Sequence, residues 1–335
     1  MHRFAFLSTA HVHTPGFLKA IDEKDDCQLV AIWDDMASRG QGFAEQYGAD
    51  YSSDLEAVIA RADVDGFIIC AENTRHLSLL EAAIPARKPI FCEKPFTTTA
   101  AEARKALDLI KTHGTTMHMG YFHPFSAQMR GVVAHVQSGV LGKLTHARYR
   151  NAHHAAYGRW FDAEEVAWFV DPALAGGGAF MDMGTHAVHF IRTALGPVDR
   201  VFATIDNKSG IYTDIDDNGT ALLKCRNGCL ATVEASWVQT GGLSGFEVVG
   251  SDATLFNHPQ NGYITAAPGQ DPQPVAAGEA SPTCVDRLVA AVGGDITAEE
   301  LAADLRCAAD AVAIMEACYE SSRIGGWVDV AALDY

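Results

Sequence analysis

The chain has 335 residues, of which 48% are hydrophobic and 20% charged. That is enough apolar material for a core and more length than one core usually carries, so two domains are expected and a disordered chain or lone small module is excluded. Lys and Arg number 25 against 42 Asp and Glu, and the net charge of −17 argues against nucleic acid or a membrane surface as partner. The opening "MHRFAFLSTAHV" lacks a signal-peptide core, and no stretch reaches the ~18 apolar residues of a membrane span. A cytoplasmic location is expected, and the eight scattered Cys read as small buried hydrophobes in a reducing compartment.

The first third alternates strands with helices. "HRFAFLS" predicts a strand, "TPGFLKAIDEKDDC" a turn and helix, "QLVAIWD" a second strand and "MASRGQGFAEQYGA" a helix. "VDGFIICA" is then a third strand, "TRHLSLLEAAIPAR" a helix, "PIFCEKP" a fourth strand, and "TTAAEARKALDLIKTHG" a Thr-capped helix closed by Gly114. Strands apolar throughout, separated by helices, specify an α/β fold with a doubly wound parallel sheet, a Rossmann dinucleotide-type domain over residues 1–120.

The grammar then changes. "QMRGVVAHVQSGVLG" reads as a helix, "KLTHARYRNAHH" as a strand with one exposed face, and "GGGAFMDMGTHAVHFIRTALG" as a helix with a glycine-rich start. Short runs follow at "VDRVFATIDN", "NGTALLKC", "CLATVEASWV", "SGFEVVGSDATLFNH" and "GYITAA", then a Pro, Gly and Ala loop over 267–282 and a last helix from "ITAEELAADLRC" onward. Residues 121–335 therefore predict an α+β domain with a large, mostly antiparallel open sheet, its last helix over about 297–323 packing back on the first domain. Asn227-Gly228 between apolar runs marks a hairpin that brings Cys225 and Cys229 close. The alternative to two buried thiols there is a disulfide or metal pair.

In a doubly wound sheet the ligand lies beyond the carboxyl ends of the strands. After the first strand, Ser8, Ala10 and His13 stand where a dinucleotide loop has three glycines. Ser8 and Ala10 still permit a close turn, and His11 and His13 offer donors to phosphate. Asp34 ends the second strand, where a carboxylate accepts ribose hydroxyls and favours NAD over NADP; the alternative is a helix cap. "CEKPF" puts Glu93 and Lys94 at the end of the fourth predicted strand, either an exposed ion pair or a site in which the ammonium lowers a substrate hydroxyl's pKa. Asp182 and His186 are four residues apart, so on a helix they share a face, and a carboxylate-held imidazole is proton-transfer machinery. Asp182, His186 and His189, with His153 and His154, alternatively read as zinc ligands or as a buried structural cluster. No metal is expected from the spacing.

Together "CEKPF", "FIICAENTRH", "GVLGKL" and "GGGAFMDMGTHAVHFIRTALG" resemble the Gfo/Idh/MocA oxidoreductases, along the whole chain but with the motifs concentrated between 65 and 197. The resemblance implies NAD(P) as cofactor, Lys94, Asp182 and His186 around the substrate carbon, Asn73, His76 and Glu93 on the nicotinamide side, and Asp34 at the adenosine ribose. It implies a sugar, polyol or related cyclic alcohol as substrate, and a homodimer or homotetramer formed through the second sheet. Members usually keep the glycine loop, have Asp where His189 stands and Arg where His123 stands, so His123, His153 and His189 mark a changed substrate pocket. Alternatives are a redox-assisted lyase or glycosidase with tightly held NAD, and a non-catalytic sensor.

Overall fold

The computed structural model describes residues 1–279 and 283–333, so the end of the predicted 267–282 loop lies outside the described residues. Its first half winds β1 (His2–Thr9), α1 (Thr14–Asp22), β2 (Cys27–Trp33), α2 (Ala37–Tyr47), β3 (Asp50–Ser52), α3 (Leu55–Ile59), β4 (Gly66–Cys70), α4 (His76–Ala83), β5 (Ile90–Cys92), α5 (Ala100–His113) and β6 (Met117–Met119). The six strands form one sheet in the order β3-β2-β1-β4-β5-β6, all parallel. The order reverses between β1 and β4, which opens a crevice at their carboxyl ends. Phe4, Phe6, Phe67 and Phe91 are completely buried, as a sheet covered on both faces requires. Helix α5 shows why the local sequence folds: Thr99 and Glu102 form a capping box, and Gly114 closes the helix in the left-handed region.

The second half adds α6 (Ala127–Gln137), β7 (Leu144–Ala152), α7 (Pro172–Ala175), α8 (Thr185–Leu195), β8 (Val198–Asp206), β9 (Asn218–Cys225), β10 (Leu230–Ser236), β11 (Gly245–Gly250), β12 (Thr254–His258), β13 (Gly262–Ala266), β14 (Gln273–Pro274), α9 (Cys284–Gly293), α10 (Ala298–Ile324) and β15 (Val328–Asp329). Its sheet has nine strands in the order β14-β13-β12-β11-β7-β10-β9-β8-β15. One internal pair, β7 with β10, is parallel, and the sheet is otherwise antiparallel, in keeping with the mostly antiparallel sheet expected from the sequence. Helix α8 and one face of α10 pack on this sheet, while Leu305, Ala308, Ala309, Val312 and Ala313 of α10 join the core of the parallel sheet. The last helix thus ties the two sheets together. The β9–β10 turn forms at Asn227-Gly228 as expected, with Gly228 at φ 91°, and Cys225 and Cys229 remain free, buried thiols.

Candidate active site

The β1–α1 turn forms without a glycine because Ser8 itself takes the left-handed conformation, at φ 70°. Its Oγ accepts from the Ala10 amide at 3.3 Å. The Ala10 carbonyl accepts from Trp168 Nε1 at 2.9 Å, so a short helical segment, Glu164–Val170, leans on this loop. His11 is buried against the rings of Trp168 and Phe169. His13 is half exposed, with Nδ1 2.9 Å from Glu93 Oε1.

Beyond β5, Lys94 precedes a cis peptide bond to Pro95. Its ammonium donates to Asp182 Oδ1 at 2.6 Å, and Trp237 Nε1 donates to Oδ2 at 3.0 Å. Asp182 comes from the glycine-rich segment, whose path Asp216 dictates: the Asp216 carboxylate accepts from the Gly178 and Phe180 amides, each at 2.8 Å, and from Tyr319 at 3.0 Å. A Cβ on Gly178 would stand 1.9 Å from the Asp216 carbonyl, so only glycine fits there. Phe180–Gly184 then forms a wide π-type turn before α8, a geometry often found at functional sites.

That wide turn corrects the expected Asp182–His186 pairing. In a regular helix the two would meet across one turn, but here both Asp182 oxygens are taken by Lys94 and Trp237, and His186 Nδ1 is buried without a partner. The His186 ring instead lies against Phe122, 4.6 Å between centroids. Nor do the other suggested ligands converge. His189 stacks on Tyr121 at 3.9 Å with the rings nearly parallel, and His123 packs against Phe190 with neither ring nitrogen bonded. Of the three histidines read as substrate contacts, only His153 lines the cavity. Asn73 and His76 are likewise turned into the fold: Asn73 Nδ2 donates to the Ala175 carbonyl at 2.8 Å, and the His76 ring sits between the Pro95 and Ala71 carbonyls.

Asp34 requires the largest correction. Its carboxylate is completely buried and accepts from the Thr9 amide and hydroxyl, both at 2.7 Å, from the Met36 amide at 2.9 Å, and from Arg39 Nε and a terminal guanidinium nitrogen at 3.0 Å and 2.8 Å. A carboxylate so engaged has no acceptor left for a ribose. Arg39, not Asp34, lines the neighbouring cavity of about 500 Å³ together with Thr9, Gly42, Phe43 and Gln46.

The main cavity, about 950 Å³, contains His11, His13, Glu93, Lys94, Asn151, His153, Asp182 and His186 among its walls. Its electrostatics are set by burial and pairing. Burial raises the Asp182 carboxyl, but the Lys94 ammonium and the bonds from Lys94 and Trp237 outweigh it and hold the group well below the usual carboxylate range. For Glu93 burial is outweighed in the same direction by the His11 and His13 imidazoles and by Lys94. Burial and then Lys94 push His186 well below an ordinary histidine, so it is a neutral imidazole at neutral pH. Burial also lowers His11 to about 3.

Sequence reasoning missed Trp237, Asp216 and Arg39. Trp237 follows an ordinary alternating strand and carries no mark of its contact with Asp182. Arg39, five residues after Asp34, was a visible signal, since that spacing returns a helical side chain toward the preceding strand end.

A parallel sheet of this order with a Lys–Asp–His cavity at its strand ends defines a dinucleotide-type oxidoreductase architecture. The comparisons with known proteins then place the chain. Residues 10–121 match the oxidoreductase family described as having an NAD-binding Rossmann fold, and residues 129–256 match the Gfo/Idh/MocA C-terminal domain. The chain belongs to the Gfo/Idh/MocA oxidoreductase family. It is 28% identical over 216 residues to the uncharacterized oxidoreductase YrbE of Bacillus subtilis, a match covering 62% of this chain and 60% of that protein. It is 27% identical over 257 residues to the inositol 2-dehydrogenase of Acidothermus cellulolyticus, covering 74% of this chain and 70% of the other. An NAD-bound inositol dehydrogenase homologue from Azotobacter vinelandii has the same fold, with a TM-score of 0.82 at 22% identity over 98% of this chain and 97% of that one.

Proposed function

We propose that the chain transfers hydride between NAD(P) and a secondary alcohol or the matching ketone of a sugar, polyol or related cyclic compound. The observation that carries this reading is the 2.6 Å ion pair from Lys94 to Asp182, joining the edge of one sheet to the helix packed on the other, with His186 in the same cavity. The residues present fit a dinucleotide. Two cavities adjoin along the strand ends, sharing His11 and Val12, and Gly120 leaves room for the buried Glu93 carboxylate at the cavity wall, where a Cβ would stand 2.8 Å from Oε2. Ser8 and Ala10, with Thr9, Arg39 and Gln46 beside them, would hold the adenosine and pyrophosphate portion, and Glu93 and Lys94 the nicotinamide end. With Asp34 neutralised by Arg39, that carboxylate no longer selects NAD over NADP. The bound nicotinamide supplies the hydride acceptor or donor.

His186, a neutral base, takes the hydroxyl proton as the alcohol is oxidised, and returns it in the reverse direction. Lys94 donates a hydrogen bond to the reacting oxygen and stabilises its negative charge. Asp182 positions the Lys94 ammonium, and Trp237 orients the Asp182 carboxylate. A positioned acid–base group contributes about 10²–10⁴-fold, so alignment between the two sheets supplies much of the rest. The same reading divides the chain near residue 120, and has copies associate through the outer face of the nine-stranded sheet, where Leu230 is 40% exposed. Purified chain is titrated with NADH and NADPH by nicotinamide fluorescence, then assayed with the oxidised and reduced dinucleotides against polyols, aldoses and their keto forms. Saturable binding with turnover supports the reading; absence of binding to either dinucleotide overturns it. Tightly held cofactor without net reduced nicotinamide would transfer the assignment to a redox-assisted lyase.

A further inference from the structure

The proposed chemistry uses Lys94, Asp182 and His186 and leaves the two imidazoles of the β1–α1 turn without a task. One ring nitrogen each from His11 and His13 and a carboxylate oxygen of Glu93 lie within 4.8 Å of one another, a spacing found for this group among the described residues. His11 is 2% exposed, and its Nε2 has no hydrogen-bond partner, although buried polar atoms ordinarily find one. All three residues line the main cavity.

We propose that His11, His13 and Glu93 bind one divalent transition ion of the zinc class, with its remaining coordination position open to the cavity that contains Lys94 and His186. Two imidazoles and a carboxylate form a donor set that leaves zinc a position for water or a substrate oxygen. Imidazole donors favour such ions over Mg²⁺ and Ca²⁺, which take oxygen ligands. The parallel sheet makes the site possible, since β1 and β5 end on the same edge and deliver a His-x-His turn beside the last residue of "FCE". The Lys94 amide donates to Glu93 Oε2 at 3.0 Å and fixes the carboxylate from behind.

Ion binding requires small changes. The half-exposed His13 exchanges its 2.9 Å contact with Glu93 for the ion. His11 moves its proton from Nε2 to Nδ1 and gives up the long 3.2 Å bond from the His13 amide.

The test is independent of the dinucleotide. Chain stripped with a chelator is titrated with Co²⁺, read by the visible absorption of the bound ion, and with Zn²⁺ by equilibrium dialysis and metal analysis. One ion per chain is expected, with affinity weakened at least about tenfold in His13→Ala and in Glu93→Gln and unchanged in His146→Ala on the outer sheet face. The proposal is overturned by absence of one-per-chain binding, by binding only at millimolar ion, or by full affinity in folded His13→Ala and Glu93→Gln. Dinucleotide binding without ion binding refutes this site alone, and ion binding without dinucleotide binding refutes only the oxidoreductase reading.

Discussion

Replacing Asp34 separates a structural carboxylate from a cofactor-selecting one. Asp34 is completely buried, the Arg39 side chain beside it is 5% exposed, and the nearest other carboxylates to that guanidinium are Asp35 at 3.3 Å and Glu72 at 3.5 Å. Asp34→Ala therefore takes from a buried cation its closest carboxylate, leaving only the longer contacts to Asp35 and Glu72, and also leaves the Thr9 amide, the Thr9 hydroxyl and the Met36 amide without their acceptor. Breaking one side of a buried ion pair costs about 3–5 kcal/mol, enough to remove a large share of an ordinary domain's stability. Urea unfolding at neutral pH reads this loss directly, and the ratio of NAD to NADP affinity is measured in parallel. Destabilisation with that ratio unchanged is expected. A loss below about 1 kcal/mol accompanied by tighter NADP binding would refute the reasoning and return Asp34 to the ribose.

Three further outcomes follow from the same geometry. His186→Ala should lower kcat by about 10²–10⁴-fold and leave dinucleotide affinity unchanged, since the ring lines the main cavity and is not among the residues assigned to hold the dinucleotide. His123 is lowered from 6.5 to about 4, first by burial, so the unfolded chain takes up its proton before the folded one does. The stability it supports is complete above pH 6.5 and declines as pH falls toward 4. His123→Phe should therefore flatten that decline by about 1.4 kcal/mol per pH unit without loss at neutral pH, as denaturant titrations at successive pH values would show. Gly178→Ala forces the glycine-rich turn off Asp216 and should lower both the unfolding temperature and kcat.

Much of the architecture was legible because its signals are local. Apolar strand runs, Thr caps and glycine stops define β1, β2, β4 and α5 almost to the residue, and "CEKPF" and "GGGAFMDMGTH" mark the ends of elements that meet in the cavity. Short pieces escaped: β3 and β6 have three residues each, too few to show a period, and α9 directly follows a Pro-rich loop. The parallel pairing of β7 with β10 is a long-range choice that alternation cannot reveal. At the site, residue types were readable but partners were not. Asp34 is legible as a strand-end carboxylate, and the five-residue spacing hints at Arg39, yet the pairing itself is completed only when α2 docks. The four-residue spacing of Asp182 and His186 implied a contact that a π-type turn and an unmarked Trp237 redirect to Lys94.

The deciding measurement is formation of reduced nicotinamide by the unmodified chain, Lys94→Ala and His186→Ala across a panel of polyols and sugars. Turnover with at least one ring alcohol, lost in both variants while His186→Ala still binds the dinucleotide, is the predicted result. Equal turnover in all three proteins would contradict the assignment, because neither the ammonium nor the imidazole would then act on the substrate.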